Sequence, residues 1–414
     1  MNRSHAERAI IPLLLVIAID SMGFGFVFPV LTPMFLQGHS AILPAGTSPL
    51  MHDFLYGIIV AVYPFCMFFG APILGDLSDH WGRKKVLFIC LLGTGIGYLL
   101  SGIGVSTNHF GLLILGRIVD GLTAGSLPMA QAAIADVSTN EKKQAKYMGL
   151  TMFAIAGGQV IGPFFAGFFS DIHILPIFSN SLPFYLAIVL TVINIVWLLW
   201  AFQETYVPVV KKELNFITTL KSFRTVLTSK NLLLMSIVFL CMQLSWSFYS
   251  QASPAYLQTV FHYSNFMLGL FSASLGVFIA VGGTLIMPQM TKWVTTKIGA
   301  LISLALMMIG TLVGVAFESQ WMFWIGLIVN TIGAALAFSF IITLFSSLVD
   351  ETRQGWFMGV TGSIIAIAWA GTALLTGVLI MFSKSIAEYL ACLIALASVY
   401  FVSRFHKPEH PERI

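Results

Sequence analysis

The segment Gly75-Asp76-Leu77-Ser78-Asp79-His80-Trp81-Gly82-Arg83-Lys84-Lys85 is a short polar interruption between two long apolar stretches, 54–75 and 86–105. An apolar helix of about 20 residues is long enough to cross a hydrocarbon core of ~30 Å. The same alternation continues along all 414 residues, of which 57% are hydrophobic and 9% are charged. This composition excludes a soluble globular protein.

Twelve membrane-spanning helices are predicted, with short loops between them, so the expected fold class is an all-α membrane protein. The expected ranges are 10–36, 54–75, 86–105, 110–137, 146–170, 183–203, 231–257, 265–290, 299–317, 321–348, 355–382 and 386–404. The first range is too long for the apolar part of a signal peptide and lacks a small-residue cleavage site, so we expect it to remain in the mature protein.

Basic residues fall almost entirely on one side of these predicted spans. Of the 21 Lys and Arg residues, 19 lie in alternate loops or at the termini, whereas Lys384 lies on the other side and Arg117 lies inside a span. Cytoplasmic loops carry such an excess of basic residues, so both termini are predicted to be cytoplasmic. The net charge of +4 follows from these loops and does not indicate a nucleic-acid partner.

The polar stretch 204–230 divides the spans into six and six. Within it, four apolar residues recur at helical spacing, namely Phe216, Leu220, Phe223 and Leu227. They predict an amphipathic helix on the inner membrane surface, and the alternative is a bare tether between the two halves. The sequence of segment 141–151 is similar to that of segment 351–361, which lies 210 residues later. Each segment is at the inner end of a predicted span. We therefore expect two pseudo-symmetric bundles, 1–203 and 231–414 with a short cytoplasmic tail, joined by a linker at 204–230, and a substrate site at their interface.

Four motifs resemble those of the major facilitator superfamily, in particular its twelve-helix drug:proton antiporters of the tetracycline-efflux type. They are the signature loop 75–85, with His80 in place of a basic residue; Arg117-Ile118-Val119-Asp120-Gly121 in span four; Gly149, Gly158, Gly162, Pro163 and Gly167 in span five; and Asp20-Ser21-Met22-Gly23-Phe24-Gly25 in span one. The resemblance implies the major facilitator fold, a bacterial inner-membrane location, and a monomer that exchanges protons for a small molecule.

The resemblance also implies that the signature loop is a cytoplasmic latch that stabilises the outward-open state. The residues expected to form this latch are Gly75, Asp79, Gly82, Arg83, Lys84 and Asp136. Arg83 can pair with Asp79 or with Asp136. A basic loop with helix caps is the alternative interpretation.

Small residues recur every four positions in span five, at Gly158, Gly162 and Ala166, and leave one helix face without bulk. Span eight has a similar stripe, comprising Gly269, Ala273, Gly276, Ala280 and Gly283. Because small residues let membrane helices approach closely, these two spans are predicted to pack together. Pro163 is expected to bend span five. The resemblance implies that this region blocks leak and favours antiport.

Three charged residues, Asp20, Arg117 and Asp120, are expected inside the membrane. Placing a charge there costs at least ~2.5–3.5 kcal/mol, so our default hypothesis is that each of them has a function. Together they carry one net negative charge, which one proton or one positive charge on a substrate would neutralise. We hypothesise that Asp20 is the principal proton carrier, while Arg117 keeps Asp120 ionised. The alternative is a static Arg117–Asp120 bridge, with Asp20 capping a helix irregularity near Gly23 and Gly25.

The second set of six spans is predicted to have no comparable buried charge. Its candidate cavity residues are aromatic or amide side chains, namely Gln243, Trp246, Tyr249, Gln251, Asn330 and Trp369. Such side chains suit a bulky, partly apolar solute, although ordinary helix packing explains them equally well. The His residues show no metal spacing and no phosphate-binding loop is present, so we expect no cofactor, no enzyme activity, and a proton gradient as the energy source.

The predicted function is therefore proton-driven export of a small amphipathic, cationic or zwitterionic molecule by alternating access. One alternative is a proton-coupled importer of a nutrient, sugar or siderophore, because a fold fixes neither direction nor substrate. The other is a membrane receptor or scaffold that transports nothing.

Overall fold

The computed structural model describes residues 3–36, 42–44, 46–137, 141–204, 229–349 and 354–405. Among these, the side chains of 3–9, 24, 79, 135–137, 141–142, 144–146, 148, 354–356, 358 and 359 are not described. Every regular element of the described chain is helical. The predicted linker helix lies outside these residues.

Eight helices form the first six spans. They are α1 (Arg3–Gly25), α2 (Val27–Leu36), α3 (Pro49–Trp81), α4 (Arg83–Ser106), α5 (Phe110–Thr123), α6 (Ser126–Val137), α7 (Glu141–Ser170) and α8 (Leu182–Ala201). Spans one and four each consist of two helices, α1 with α2 and α5 with α6.

The remaining spans begin with α9 (Lys230–Phe261) and α10 (Asn265–Val281), which continues through a π-helical turn at Gly282–Ile286 into α11 (Met287–Trp293). They end with α12 (Thr296–Ala316), α13 (Gln320–Ser346), α14 (Gln354–Ile380) and α15 (Ile386–Arg404). In all, 12 stretches of the described chain are long and apolar enough to cross a membrane, which confirms the predicted all-α, twelve-span fold class.

Contacts divide the chain into two compact units. The first contains Met1–Leu214 and Leu257–Gly276, and the second contains Asn215–Tyr256 and Val277–Ile414. The end of α9 and most of α10 therefore belong to the first unit. The predicted domain boundaries at 203 and 231, which follow the sequence repeat, stay a prediction.

Both broken spans contain proline just after the break. In span one the helix is interrupted at Phe26, and Pro29 cannot donate a hydrogen bond to the carbonyl of Gly25. In span four the interruption is at Ala124 and Gly125, and Pro128 likewise lacks a donor for the carbonyl of Ala124. Each break leaves helix ends inside the first unit, where α1 packs against α6, α7 and α8.

Candidate functional site

Asp20 lies near the end of α1 and is only part-buried. Its carboxylate accepts a hydrogen bond from Ser126, the first residue of α6. A helix N-terminus carries partial positive charge and stabilises an anion. The break in span four thus provides a polar site for Asp20 within an otherwise apolar bundle.

Arg117 and Asp120 face the same side of α5. Their closest charged atoms, Nη1 of Arg117 and Oδ2 of Asp120, are 3.8 Å apart, and the two side chains are 5% and 7% exposed. The guanidinium carbon of Arg117 also lies 4.7 Å from the ring centre of Tyr63, which is a favourable cation–π distance. Asp120 accepts a further hydrogen bond from Thr94 of α4.

The structure brings the three predicted charges together. The carboxylates of Asp20 and Asp120 are close enough to repel each other, and Arg117 attracts Asp120. Tyr63 and Tyr98 interact electrostatically with all three groups and are themselves buried. The result is one enclosed polar cluster that contains two carboxylates and the guanidinium of Arg117.

Four members of this cluster were missed by sequence reasoning: Tyr63, Thr94, Tyr98 and Ser126. Each is a hydroxyl-bearing residue inside a predicted span. A hydroxyl group in an apolar span was the feature of the sequence that could have indicated a polar contact. In the alternative interpretation, Asp20 caps an irregularity of its own span near Gly23 and Gly25. The hydrogen bond that its carboxylate accepts comes instead from Ser126, at the break in span four.

The small residues of the span-five stripe contact α1. A Cβ atom at Gly162 would lie 2.7 Å from the Cα of Met22, and one at Gly158 would lie 2.7 Å from the Cβ of Ser21. Both positions are on α1, beside Asp20. This face of α7 therefore packs against α1, and not against span eight as predicted.

The predicted pairing of spans five and eight is confirmed through a neighbouring row of α7. A Cβ atom at Gly167 would lie 2.8 Å from the Cα of Gly269, and one at Gly276 would lie 2.9 Å from Val160. Gly167 follows Ala166 of the stripe by one residue, which rotates the contact by about 100° around the helix. Span five therefore contacts α1 with one face and α10 of span eight with the adjacent face.

The other two residues of the span-five motif have different surroundings. Pro163 lies inside continuous α7, and a Cβ atom at Gly25 of α1 would meet its ring. The proline thus sits beside the break in span one. No described atom would lie within 4 Å of a Cβ at Gly149, so helix packing in the described chain does not require glycine there.

Gly167→Leu is expected to lower the thermal unfolding midpoint, because the added side chain would overlap the backbone of Gly269. Overpacking of this kind costs about 1–3 kcal/mol. Unfolding of the detergent-solubilised variants measures the effect. Gly157→Leu is the matched control on the same helix, since a Cβ there meets no described atom within 4 Å; an equal loss in both variants would contradict the assigned contact.

The signature loop contains the turn between α3 and α4. Gly82 adopts φ 93°, a conformation that L side chains rarely adopt. The Arg83 side chain donates to Oγ of Ser78, and Nζ of Lys84 donates to the carbonyl of Leu199 at 2.9 Å. Because the side chains of Asp79 and Asp136 are not among those described, the predicted latch stays a prediction; Gly75 has no described neighbour within 4 Å of a Cβ.

Glu204 is an additional partner of this loop. Its two carboxylate oxygens accept hydrogen bonds from the backbone N–H groups of Arg83 and Lys84, at 2.8 and 3.1 Å. The carboxylate therefore caps the N-terminus of α4 from a position 121 residues away in sequence. Sequence reasoning placed Glu204 only at the start of the linker.

Two of the candidate cavity residues of the second unit, Asn330 and Gln251, form hydrogen bonds between helices. Nδ2 of Asn330 donates to the carbonyl of Met307 at 2.9 Å and to Thr311 at 2.7 Å. Nε2 of Gln251 donates to Oγ1 of Thr372 at 2.9 Å and to the carbonyl of Trp369 at 3.3 Å. Gln243 and Tyr249 are buried, and Trp246 stacks on Tyr249 with ring centres 6.2 Å apart. Their role in substrate binding stays a prediction.

The second unit does contain a buried acid, contrary to the prediction. Glu388 lies in the first turn of α15 and is 0% exposed. Glu388 lies inside the predicted span 386–404, but only two residues from its start, where an acidic residue commonly caps a helix. Its burial makes it a second candidate functional group.

A polar cavity of about 590 Å³ lies where the α7–α8 loop meets the start of α10. Oδ1 of Asp171 accepts from the backbone N–H of His173 at 3.0 Å, and Oδ2 accepts from that of Phe266 at 3.2 Å. Burial would raise the pKa of Asp171, but hydrogen bonds from Ser264, His173 and Phe266 outweigh it and lower that pKa. Asp171 therefore caps α10 as an anion.

Asp171→Asn is expected to lower the free energy of unfolding by about 1 kcal/mol at neutral pH, because the charge at a helix N-terminus is lost. The folded-state pKa lies below the ordinary value of 3.8, so this contribution is fully present above pH 3.8 and disappears as the pH falls further. Unfolding midpoints of wild type and variant should converge in acid. A difference that persists there would show that the charge is not responsible.

Comparison with known proteins identifies the family of this chain. The family model of the Major Facilitator Superfamily matches residues 13–373. The class C tetracycline resistance protein of Escherichia coli is 27% identical over 94% of this chain and 97% of its own length. The class D protein of Salmonella ordonez is 26% identical over 96% and 94%. A solved D-xylose-proton symporter, 17% identical, superimposes with a TM-score of 0.73 over 97% of this chain and 98% of its own. This multi-pass membrane protein thus belongs to the Major Facilitator Superfamily and is a transporter, not an enzyme.

Proposed function

We propose that this chain is a proton-driven exporter of a small amphipathic molecule with a cationic or zwitterionic group. It works by alternating access in a bacterial inner membrane, with both termini in the cytoplasm. The observation that carries the proposal is the cluster of Asp20, Asp120 and Arg117 in the first unit.

The charges of the cluster support exchange of a proton for a cation. With all three groups ionised, the cluster carries one net negative charge inside an apolar bundle, and such a charge is unfavourable there. One bound proton or one positive charge on a substrate removes it, but both together would leave a net positive charge. Proton and substrate therefore compete for the same electrostatic site.

Asp20 is the group best suited to carry the proton. It is part-buried, whereas Asp120 is buried against Arg117. Its hydrogen bond with Ser126 stabilises the ionised form, and burial in the bundle favours the neutral form. Both states are therefore accessible during a transport cycle, with no cofactor required.

The names of the relatives suggest the first substrate to try. Purified protein in detergent at weak buffering should release protons when tetracycline, or another amphipathic cation or zwitterion, is added. Release of about one proton per bound molecule is expected from the charge of the cluster. No proton release with any substrate that binds would contradict proton coupling and favour a receptor.

Transport assays in liposomes with an imposed pH gradient distinguish export from import. An exporter accumulates substrate on the side from which protons leave, and reversal of the pH gradient reverses this accumulation. Accumulation that follows the protons instead would identify a symporter, the importer alternative, which the shared fold of a D-xylose-proton symporter permits.

A further inference from the structure

Glu388 is buried without the contacts that would explain an acidic residue there. It is 0% exposed, and neither carboxyl oxygen has a hydrogen-bonding partner on another described residue. The sequence Ser385-Ile386-Ala387-Glu388 matches a capping box, in which serine and glutamate cap the same helix end. Ser385 makes no such side-chain hydrogen bond, so capping does not account for this residue.

The groups around Glu388 are apolar or neutral. Phe248 and Ala252 of α9 form a core cluster with Ala387 and Ala391 on either side of it. The titratable groups that interact with it are the phenols of Tyr249 and Tyr256 on α9 and the thiol of Cys392 on its own helix. Cys392 in turn contacts the carbonyl of Met308 on α12, and Lys384 lies four residues earlier in the α14–α15 loop.

Both protonation states of Glu388 have a source of stabilisation. Its enclosure disfavours the anion, because a buried carboxylate without partners is strongly unfavourable. Its position in the first turn of α15 favours the anion, because the helix N-terminus carries partial positive charge. A carboxyl group with these opposed influences is suited to bind and release a proton.

Tyr256 is a buried phenol that lies within electrostatic range of Glu388 and of an exposed carboxylate. It interacts electrostatically with Glu388 and also with Glu318. Glu318 is exposed in the loop after α12, and its φ of 44° is a backbone conformation usually taken by glycine or asparagine. An exposed carboxylate is therefore placed near a phenol that also lies near the buried acid.

We propose that Glu388 is a second proton-binding carboxyl group of this transporter, which protons reach past Tyr256 from the surface at Glu318. The proposal rests on the proton-coupled function above and assigns it a second proton site, in the second unit. Substrate transport would then be linked to two carboxyl groups, Asp20 and Glu388, that are not neighbours in the chain.

Infrared spectroscopy of the full-length protein in lipid tests this directly, without a substrate. A protonated carboxyl has a distinct C=O stretching band, and the pH-difference spectrum of wild type should contain one such band that is missing in Glu388→Gln. Glutamine has nearly the size and shape of glutamate but cannot take up a proton. Identical difference spectra for wild type and Glu388→Gln would overturn the proposal. Should Glu388→Gln fail to fold, Glu388→Asp keeps the carboxyl, and its band should move and not vanish.

The entry route is tested by the rate at which the Glu388 band shifts after transfer into D₂O. Glu318→Gln and Tyr256→Phe should each slow this shift at least several-fold. Tyr400→Phe, at an exposed tyrosine on the same helix as Glu388, is the matched control and should not change it. Unchanged rates in both test variants would exclude this route.

Transport separates the second site from the proposed function. In liposomes, Glu388→Gln should move fewer protons per substrate than wild type while still transporting. Wild type that transports without proton movement would reject the proposed function, and the infrared titration would still decide whether Glu388 binds a proton. An unchanged proton-to-substrate ratio in a folded Glu388→Gln would reject Glu388 as a coupling site.

Discussion

Asp20→Asn is expected to abolish substrate accumulation driven by a pH gradient, down to the leak of protein-free liposomes. Asparagine retains the size of the side chain and an acceptor for Ser126, but it cannot take up a proton. Exchange of labelled for unlabelled substrate across the membrane, with no gradient, should persist at raised substrate concentration. It requires alternating access but no proton, while the lost charge of Asp20 weakens the binding of a cationic group.

The two assays together identify the role of this residue. Loss of both accumulation and exchange would indicate damage to binding or folding, and accumulation at wild-type rates would remove Asp20 from the coupling mechanism. Asp20→Glu is the matched control. It retains a carboxyl group at the same position and should recover accumulation, with an altered pH dependence because the longer side chain changes the contact with Ser126.

Arg117→Met should be the most destabilising substitution in the cluster. It removes the guanidinium that pairs with Asp120 and leaves this carboxylate buried without its ion-pair partner. Breaking a buried pair by removing one member costs about 3–5 kcal/mol. Thermal unfolding in detergent, followed with a dye that reacts with the buried thiols of Cys90 and Cys392 as they become exposed, measures this loss.

A second substitution separates charge from packing. Arg117→Met combined with Asp120→Asn removes both charges and should recover most of the stability. If the double variant is as unstable as the single one, the packing of Arg117 on Tyr63 is the dominant interaction. Arg117→Lys addresses the same point, because it retains the charge but loses the planar contact with the ring.

The twelve spans could be predicted because the membrane requires long apolar segments. The pairing of Arg117 with Asp120 could be predicted because residues three apart share a helix face. The contact of Asp20 with Ser126 could not, since nothing in a single sequence indicates which distant residue a side chain meets. The stripe at Gly158 and Gly162 predicted close packing correctly but not its partner, because small residues permit approach to any helix.

The break in span four has a consequence for how the two carboxylates differ. The start of α6 brings the Ser126 hydroxyl and the positive end of a helix to Asp20, whereas Asp120 lies in the last turn of α5, where free carbonyl oxygens oppose a negative charge. The surroundings of Asp20 are thus set by one short side chain, Ser126, and by the main chain at the start of α6. Those of Asp120 depend on the side chains of Arg117 and Thr94. Replacement of the side chains around Asp120 should therefore alter its charge balance more than replacement of those around Asp20, because the helix end beside Asp20 stays in place.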